Sequence, residues 1–154
     1  MLKLKSKPAL LFILSIITFI TVISLSYKKR LILSCSTELT IKRSTGGLLH
    51  ANASYFMYNN GTGFVTYKGV IKENGVNYII NRDTPFIISD KDNDGIATLE
   101  YQGVVKKKND SLPENQVWNT LYGPGEKYYF SFYKTKSDDY TIQEVGRTGY
   151  YCSN

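Results

Sequence analysis

Phe64-Val65-Thr66-Tyr67-Lys68-Gly69-Val70-Ile71-Lys72, a Glu73-Asn74-Gly75 joint, and then Val76-Asn77-Tyr78-Ile79-Ile80-Asn81 is the stretch whose reading decides the fold. Apolar and polar residues alternate with a period near two on both sides of Asn74-Gly75, as half-buried strands require. An Asn-Gly pair suits a two-residue type I′ turn, because both central positions need positive φ. The stretch therefore predicts an antiparallel hairpin.

Working outward, the same period recurs. In Cys35 to Ile41 the residues Cys35, Thr37, Leu39 and Ile41 share one face, and Ser36, Glu38, Thr40 and Lys42 the other. Leu49 to Tyr58 reads as a strand returning at Phe64 through the turn residues Asn59-Asn60-Gly61-Thr62-Gly63. Phe86-Ile87-Ile88, Ile96 to Lys106, Lys127 to Lys134 and Tyr140 to Val145 supply further strands, giving eight or so. Ser111-Leu112-Pro113-Glu114 has capping-box spacing, with Val117, Trp118 and Leu121 as an apolar side before Gly123-Pro124-Gly125, so one short helix is expected there. Short strands without βαβ spacing predict a mainly β fold: a small antiparallel barrel or strongly curved sheet, where closure removes exposed edges. Edges left open, along strands such as Tyr128 to Tyr133, would offer main-chain hydrogen bonds to a partner.

The other decisive segment is N-terminal. Ala9 to Tyr27 is apolar with interspersed Ser and Thr, and as a helix it is about 28 Å long, enough to span a bilayer. A cleaved signal peptide competes, since Ser24-Leu25-Ser26 offers small residues at the cleavage positions. The apolar run is too long for that reading, and Lys28-Lys29-Arg30 follows the would-be cut directly. Ile32-Leu33-Ser34-Cys35 is similar to a lipoprotein processing site, but the charged triplet separates it from the apolar core. The expected organisation is a cytoplasmic N-terminus over 1–8, a transmembrane signal anchor over 9–27, a basic juxtamembrane linker over 28–34 and a periplasmic β domain over 35–154. Three basic residues lie on each side of the span, so local charge does not orient it. Two cysteines near the ends of the following domain suit an oxidising compartment, which places that domain outside the cytoplasm, and Cys35 and Cys152 are expected to form a structural disulfide.

The chain has 154 residues and a net charge of +6. Lys3, Lys5, Lys7, Lys28, Lys29 and Arg30 all flank the apolar run, and the residues after Arg30 carry equal numbers of bases and acids. That balance argues against nucleic-acid binding, which needs a basic surplus on the folded domain. One His and two Cys exclude a zinc site built from those residue types. Asp90-Lys91-Asp92-Asn93-Asp94-Gly95 matches the first half of a calcium loop, but the twelfth position is Tyr101 where a bidentate Glu is needed, and strands flank the loop. A hairpin turn without metal is expected. His50 has no acid or nucleophile at suggestive spacing, Gly61-Thr62-Gly63 lacks the following helix of a phosphate cradle, and Lys106-Lys107-Lys108 reads as a solvated strand end. No catalytic residue or cofactor is expected. A hydrolase would have to rely on His50 or on Asp138-Asp139.

In the order of its parts the chain resembles the FidL-like family of small bacterial inner-membrane proteins. The resemblance runs through the N-terminal anchor, Cys35, hairpins such as Gly61-Thr62-Gly63-Phe64-Val65 and Lys68-Gly69, then Asp110-Ser111-Leu112-Pro113-Glu114, Tyr128-Tyr129-Phe130 and Tyr150-Tyr151-Cys152. The Asp90 to Gly95 loop is outside that pattern. The resemblance implies a companion of a ToxR-like membrane-bound transcription regulator, similar in layout to ToxS-like accessory proteins. In that wider group the accessory domain pairs with its regulator's periplasmic domain, and some pairs form a lipocalin-like barrel holding a small apolar ligand, a bile salt. The implied function is a non-enzymatic, membrane-anchored partner of such a regulator. The alternative is a self-contained periplasmic ligand-binding or envelope protein.

Overall fold

The computed structural model describes residues 7–26, 29–44, 46–89, 94–114, 118, 123–146 and 149–154, with side chains of the helix over 12–21. Two compact units divide at Arg30 and Leu31. The first holds α1 (Lys7–Ser26). Its hydroxyls turn back onto their own helix: Ser15 Oγ donates to the Phe12 carbonyl at 2.9 Å and Thr18 Oγ1 to that of Ser15 at 2.8 Å. Among the described residues no helix is long and apolar enough to cross a membrane. The ten residues 12–21, the part of α1 with described side chains, rise about 15 Å, half of a bilayer's hydrocarbon core.

The second unit is one antiparallel sheet of nine strands: β1 (Leu31–Lys42), β2 (Leu48–Tyr58), β3 (Thr62–Glu73), β4 (Val76–Ser89), β5 (Ala97–Tyr101), β6 (Val105–Lys106), β7 (Lys127–Lys134), β8 (Tyr140–Glu144) and β9 (Tyr150–Cys152). Neighbours follow chain order except that β6 pairs with β4, so β5 meets β7 directly. Ser36 and Ser153 then bridge β1 to β9, which makes the sheet a nearly closed up-and-down barrel. The Asn74-Gly75 turn forms as the sequence predicts, with φ of 51° and 80° and Glu73 opposite Val76. Inward residues of alternate positions fill the interior, among them Leu33, Cys35, Tyr55, Val65, Ile80, Phe86, Leu99, Tyr101, Phe130 and Ile142. Gly69 lets β3 press close to β2, because a Cβ there would sit 2.5 Å from Ala51 Cα.

Four boundaries differ from the sequence reading. β1 begins at Leu31, so residues 31–34 belong to the sheet and not to a linker; Leu31 and Leu33 are set off by a register shift that absorbs Ile32. Val76 to Asn81 and Phe86 to Ile88 are parts of one strand, β4, despite Pro85. The Pro85 carbonyl accepts from Gln102 N at 2.8 Å, so its missing N–H falls on that side too, and the β3–β4 ladder loses no bond there. Ile96 to Lys106 splits into β5 and β6 around Gly103, whose φ is +112°. The helix does not start at Ser111: residues 111–113 take no regular secondary structure, Ser111 Oγ accepts from Ile79 N at 2.8 Å, Glu114 pairs with Lys106, and helical backbone here is described only at Trp118, in a 3-10 turn. Most of the remaining helix expectation, over 115–117 and 119–122, lies outside the described residues.

Candidate functional site

Two features of the barrel concentrate unusual chemistry, its polar interior and its closing seam. On β4 the inward series Ile80, Arg82, Thr84, Phe86 puts a guanidinium inside the barrel. Asp110 meets it from the segment after β6, with Arg82 Nε donating to Oδ2 at 2.8 Å and Nη2 to Oδ1 at 2.7 Å. The side chains are 7% and 0% exposed. Asp110 also accepts from Asn81 N at 3.0 Å and Leu112 N at 3.2 Å. Burial by itself would push this carboxyl up. The Arg82 hydrogen bond, the Asn81 N–H, the Arg82 charge and the Leu112 N–H outweigh it, and the group is held below its ordinary 3.8. With both oxygens committed, the carboxylate is a fixed anchor. It ties residues 107–112 along β4, where Lys107 N and Ser111 N also donate to Asn81 O and Ile79 O, both at 2.9 Å.

Trp118 covers the barrel end that carries the Asn74-Gly75 turn. It is 4% exposed, its Nε1 donates to Glu73 Oε2 at 2.7 Å, and Arg43 Cζ stands 5.1 Å above the ring. Beneath it Ile41, Leu49, Ile71 and Ile80, with Tyr67, Arg82 and Thr84, surround a cavity of about 40 Å³. Such a space has room for about three waters among the described residues.

The seam joins β1 to β9. Cys35 and Cys152 are joined by a disulfide with Cα atoms 5.4 Å apart. Tyr55 of β2 and Tyr150 of β9 share a hydrogen bond through their hydroxyls. Ser36 gives both backbone groups to Ser153, so by strand alternation the N–H and C=O of Glu38 and Thr40 face the same side. No strand pairing continues there along residues 37–42 among the described residues. One open edge is therefore on β1. The edge expected at Tyr128 to Tyr133 is present in part: β7 pairs with β5 over Lys127–Phe130 and with β8 over Phe130–Lys134, so residues 131–134 have no strand partner on the β5 side among the described residues.

The remaining candidates are scattered. His50 lies on the outer face of β2, with Nδ1 3.1 Å from Thr40 Oγ1 and Nε2 3.1 Å from Glu38 Oε1. Asp138 pairs with Lys134 at 2.8 Å. Asp139 is held below the ordinary carboxyl range by the Tyr151 hydroxyl, the Asn154 N–H and the Ser137 hydroxyl. His50 on β2 and the Asp138-Asp139 turn between β7 and β8 form no common site. Lys106 donates to the Leu112 carbonyl and pairs with Glu114, and Lys107 pairs with Asp83 at 2.8 Å, so both serve the structure rather than form a solvated end. Asp90 to Asn93 lie outside the described residues; Asp94 Oδ1 accepts from Ile96 N at 2.8 Å, and Gly95 has φ +82°, as in a turn. Among the described residues no three His, Cys, Asp or Glu side chains gather as metal ligands. Sequence reasoning missed the Arg82–Asp110 pair; the available signal was Arg82 standing in register with Ile80, Thr84 and Phe86.

Comparison with known protein families, with characterised proteins and with solved structures finds no match.

Proposed function

We propose that this chain is a non-enzymatic accessory protein, anchored in the bacterial inner membrane, that binds and stabilises the periplasmic domain of a ToxR-like transmembrane transcription regulator. The observation that carries this reading is the incomplete seam. A barrel whose β1 edge is paired with β9 at one residue pair leaves main-chain donors and acceptors at Glu38 and Thr40 for a strand from another chain. The resemblance in element order supplies the partner's class. In this reading α1 is the single span, extended to the apolar residues 9–27 of the sequence, with the β domain in the periplasm. Confinement to one membrane raises the effective concentration of an equally anchored regulator, so a short strand contact suffices.

An apolar ligand shared with the regulator belongs to the same proposal; the space of about 40 Å³ beneath Trp118 is smaller than the open clefts of about 400 Å³ beside Tyr129 and about 430 Å³ beside Phe56. Co-purification of the full chain with the regulator, compared with a β1 variant in which Thr40→Pro removes an edge donor, tests the reading. Loss of association with retained folding is expected. Unchanged association would remove the seam as the contact.

A further inference from the structure

We infer that a second copy of this chain covers the open edge of β1, the two β1 strands running antiparallel about a two-fold axis at Thr40. The inference rests on the same open seam as the proposed function and adds an occupant that holds the edge while no regulator does. The free stretch is Glu38-Leu39-Thr40-Ile41-Lys42. Read backwards it keeps its aliphatic and Thr positions and exchanges acid for base. Ser36 and Ser153 exchange main-chain hydrogen bonds across the seam, so alternation turns the N–H and C=O of Glu38, Thr40 and Lys42 to that side. In an antiparallel ladder these edge-facing residues must oppose one another, so the register moves in steps of two. Centred on Thr40, Glu38 stands opposite Lys42 of the second copy, Thr40 opposite Thr40, and Lys42 opposite Glu38, while Leu39 and Ile41 meet on the inner face. Acid–base, Thr–Thr and aliphatic pairs directly across two strands each stabilise them, and the two-fold axis uses every pair twice or on itself.

The neighbouring registers are worse. Centred on Leu39, Lys42 would need Ser36, which Ser153 already holds, and two Glu38 carboxylates would lie diagonal to each other. Centred on Ile41, two Lys42 amines would lie diagonal and Glu38 would face position 44, past the end of β1 at Lys42. In the Thr40 register it is Ser36 that faces position 44, so its bonds to Ser153 are kept. Exposure points to the same edge. Ile41 is 37% exposed and Leu39 is half-buried, although both point inward and their β2 partners Leu49 and Ala51 are 5% and 2% exposed. An open barrel end would uncover β1 and β2 alike, so the missing neighbour on the seam side is what uncovers these two, and a second β1 covers them. No Pro, Gly or register shift interrupts residues 37–42, so this edge lacks those devices against pairing. Among the described residues Lys42 forms no ion pair, and Glu38 pairs with the exposed His50 at 3.1 Å. Pairing over residues 38–42 makes a small interface of the weak, reversible class, which a regulator's strand displaces.

The test treats the full chain carrying Thr40→Cys with a short bifunctional thiol reagent, because side chains directly opposite on paired strands stand about 5 Å apart at Cβ. The native cysteines are bonded to each other and do not compete. Thr40→Cys should be joined to a second copy, whereas Lys68→Cys, exposed on the outer face of β3, should not. Adding Glu38→Lys or Lys42→Glu to Thr40→Cys should cut the joined fraction several-fold, since each puts like charges opposite. The two charge changes together should restore it. Absence of joining through Thr40→Cys in protein whose Cys35–Cys152 bridge is intact would overturn the inference, as would single charge changes without effect or a double change without rescue. The external domain of the proposed regulator, when added, should suppress the joining. Joining that persists with no regulator retained would remove the regulator from this edge and leave the second copy on it.

Discussion

Ser36 N donates to Ser153 O at 2.7 Å and Ser153 N donates to Ser36 O at 2.9 Å, one residue beyond the disulfide between Cys35 and Cys152. This pair and the disulfide hold the last strand to the first across 117 residues of sequence. Closing so long a loop in the unfolded chain is worth about 5 kcal/mol in the chain-entropy account, comparable with the whole stability of a small domain. Both cysteines should therefore resist maleimide in unreduced native protein, and Cys152→Ser should lower the steady-state level. Labelling of both thiols without reductant would contradict the account.

The Arg82–Asp110 pair gives a second prediction. Asp110→Asn leaves a buried guanidinium without its counter-charge and should lose about 3–5 kcal/mol, whereas Arg82→Met with Asp110→Leu should lose less than either single change. The pH dependence follows from the lowered carboxyl. Its stabilisation is complete above the ordinary value of 3.8 and is lost as pH falls through the lower folded-state value. Acid melting curves of the native chain should thus fall more steeply below pH 3.8 than those of the double variant. Parallel acid limbs would show that the pair does not contribute this way.

The architecture was legible wherever side-chain alternation is local. Cys35 to Ile41 and the Asn74-Gly75 turn declare themselves because one face is buried and one turn chemistry fits. Arg82 was legible only in part: its register with Ile80, Thr84 and Phe86 marks an inward position, but a charge there reads as a strand break until Asp110, 28 residues away, is known to neutralise it. Ser111 misled for a similar reason, since a capping-box serine and a serine bonded to a neighbouring strand's backbone have the same local sequence. The open edge at β1 depends on how far β9 runs beside it, a pairing that no local pattern encodes.

For the loop between β4 and β5, calorimetry with millimolar calcium should detect no binding, and the melting temperature should not move. A rise of several degrees would demand a site, because a ligand that binds only the folded state stabilises it.

For the N-terminal segment, the anchor reading predicts that the mature protein retains residues 9–27 and remains in the inner-membrane fraction through a high-salt wash, since an apolar span would be insensitive to screening. A native N-terminus at Tyr27 by mass spectrometry would replace the anchor with a cleaved signal peptide.

The central claim is that the barrel is completed by a partner. Thermal melting of the full chain, alone and co-expressed with a ToxR-like regulator proposed as its partner, tests this most directly. The account predicts a co-purifying complex whose melting temperature exceeds that of the chain alone, because a partner that binds only the folded barrel must stabilise it. A monomer that melts at the same temperature with and without the regulator, and does not retain it, would contradict the account.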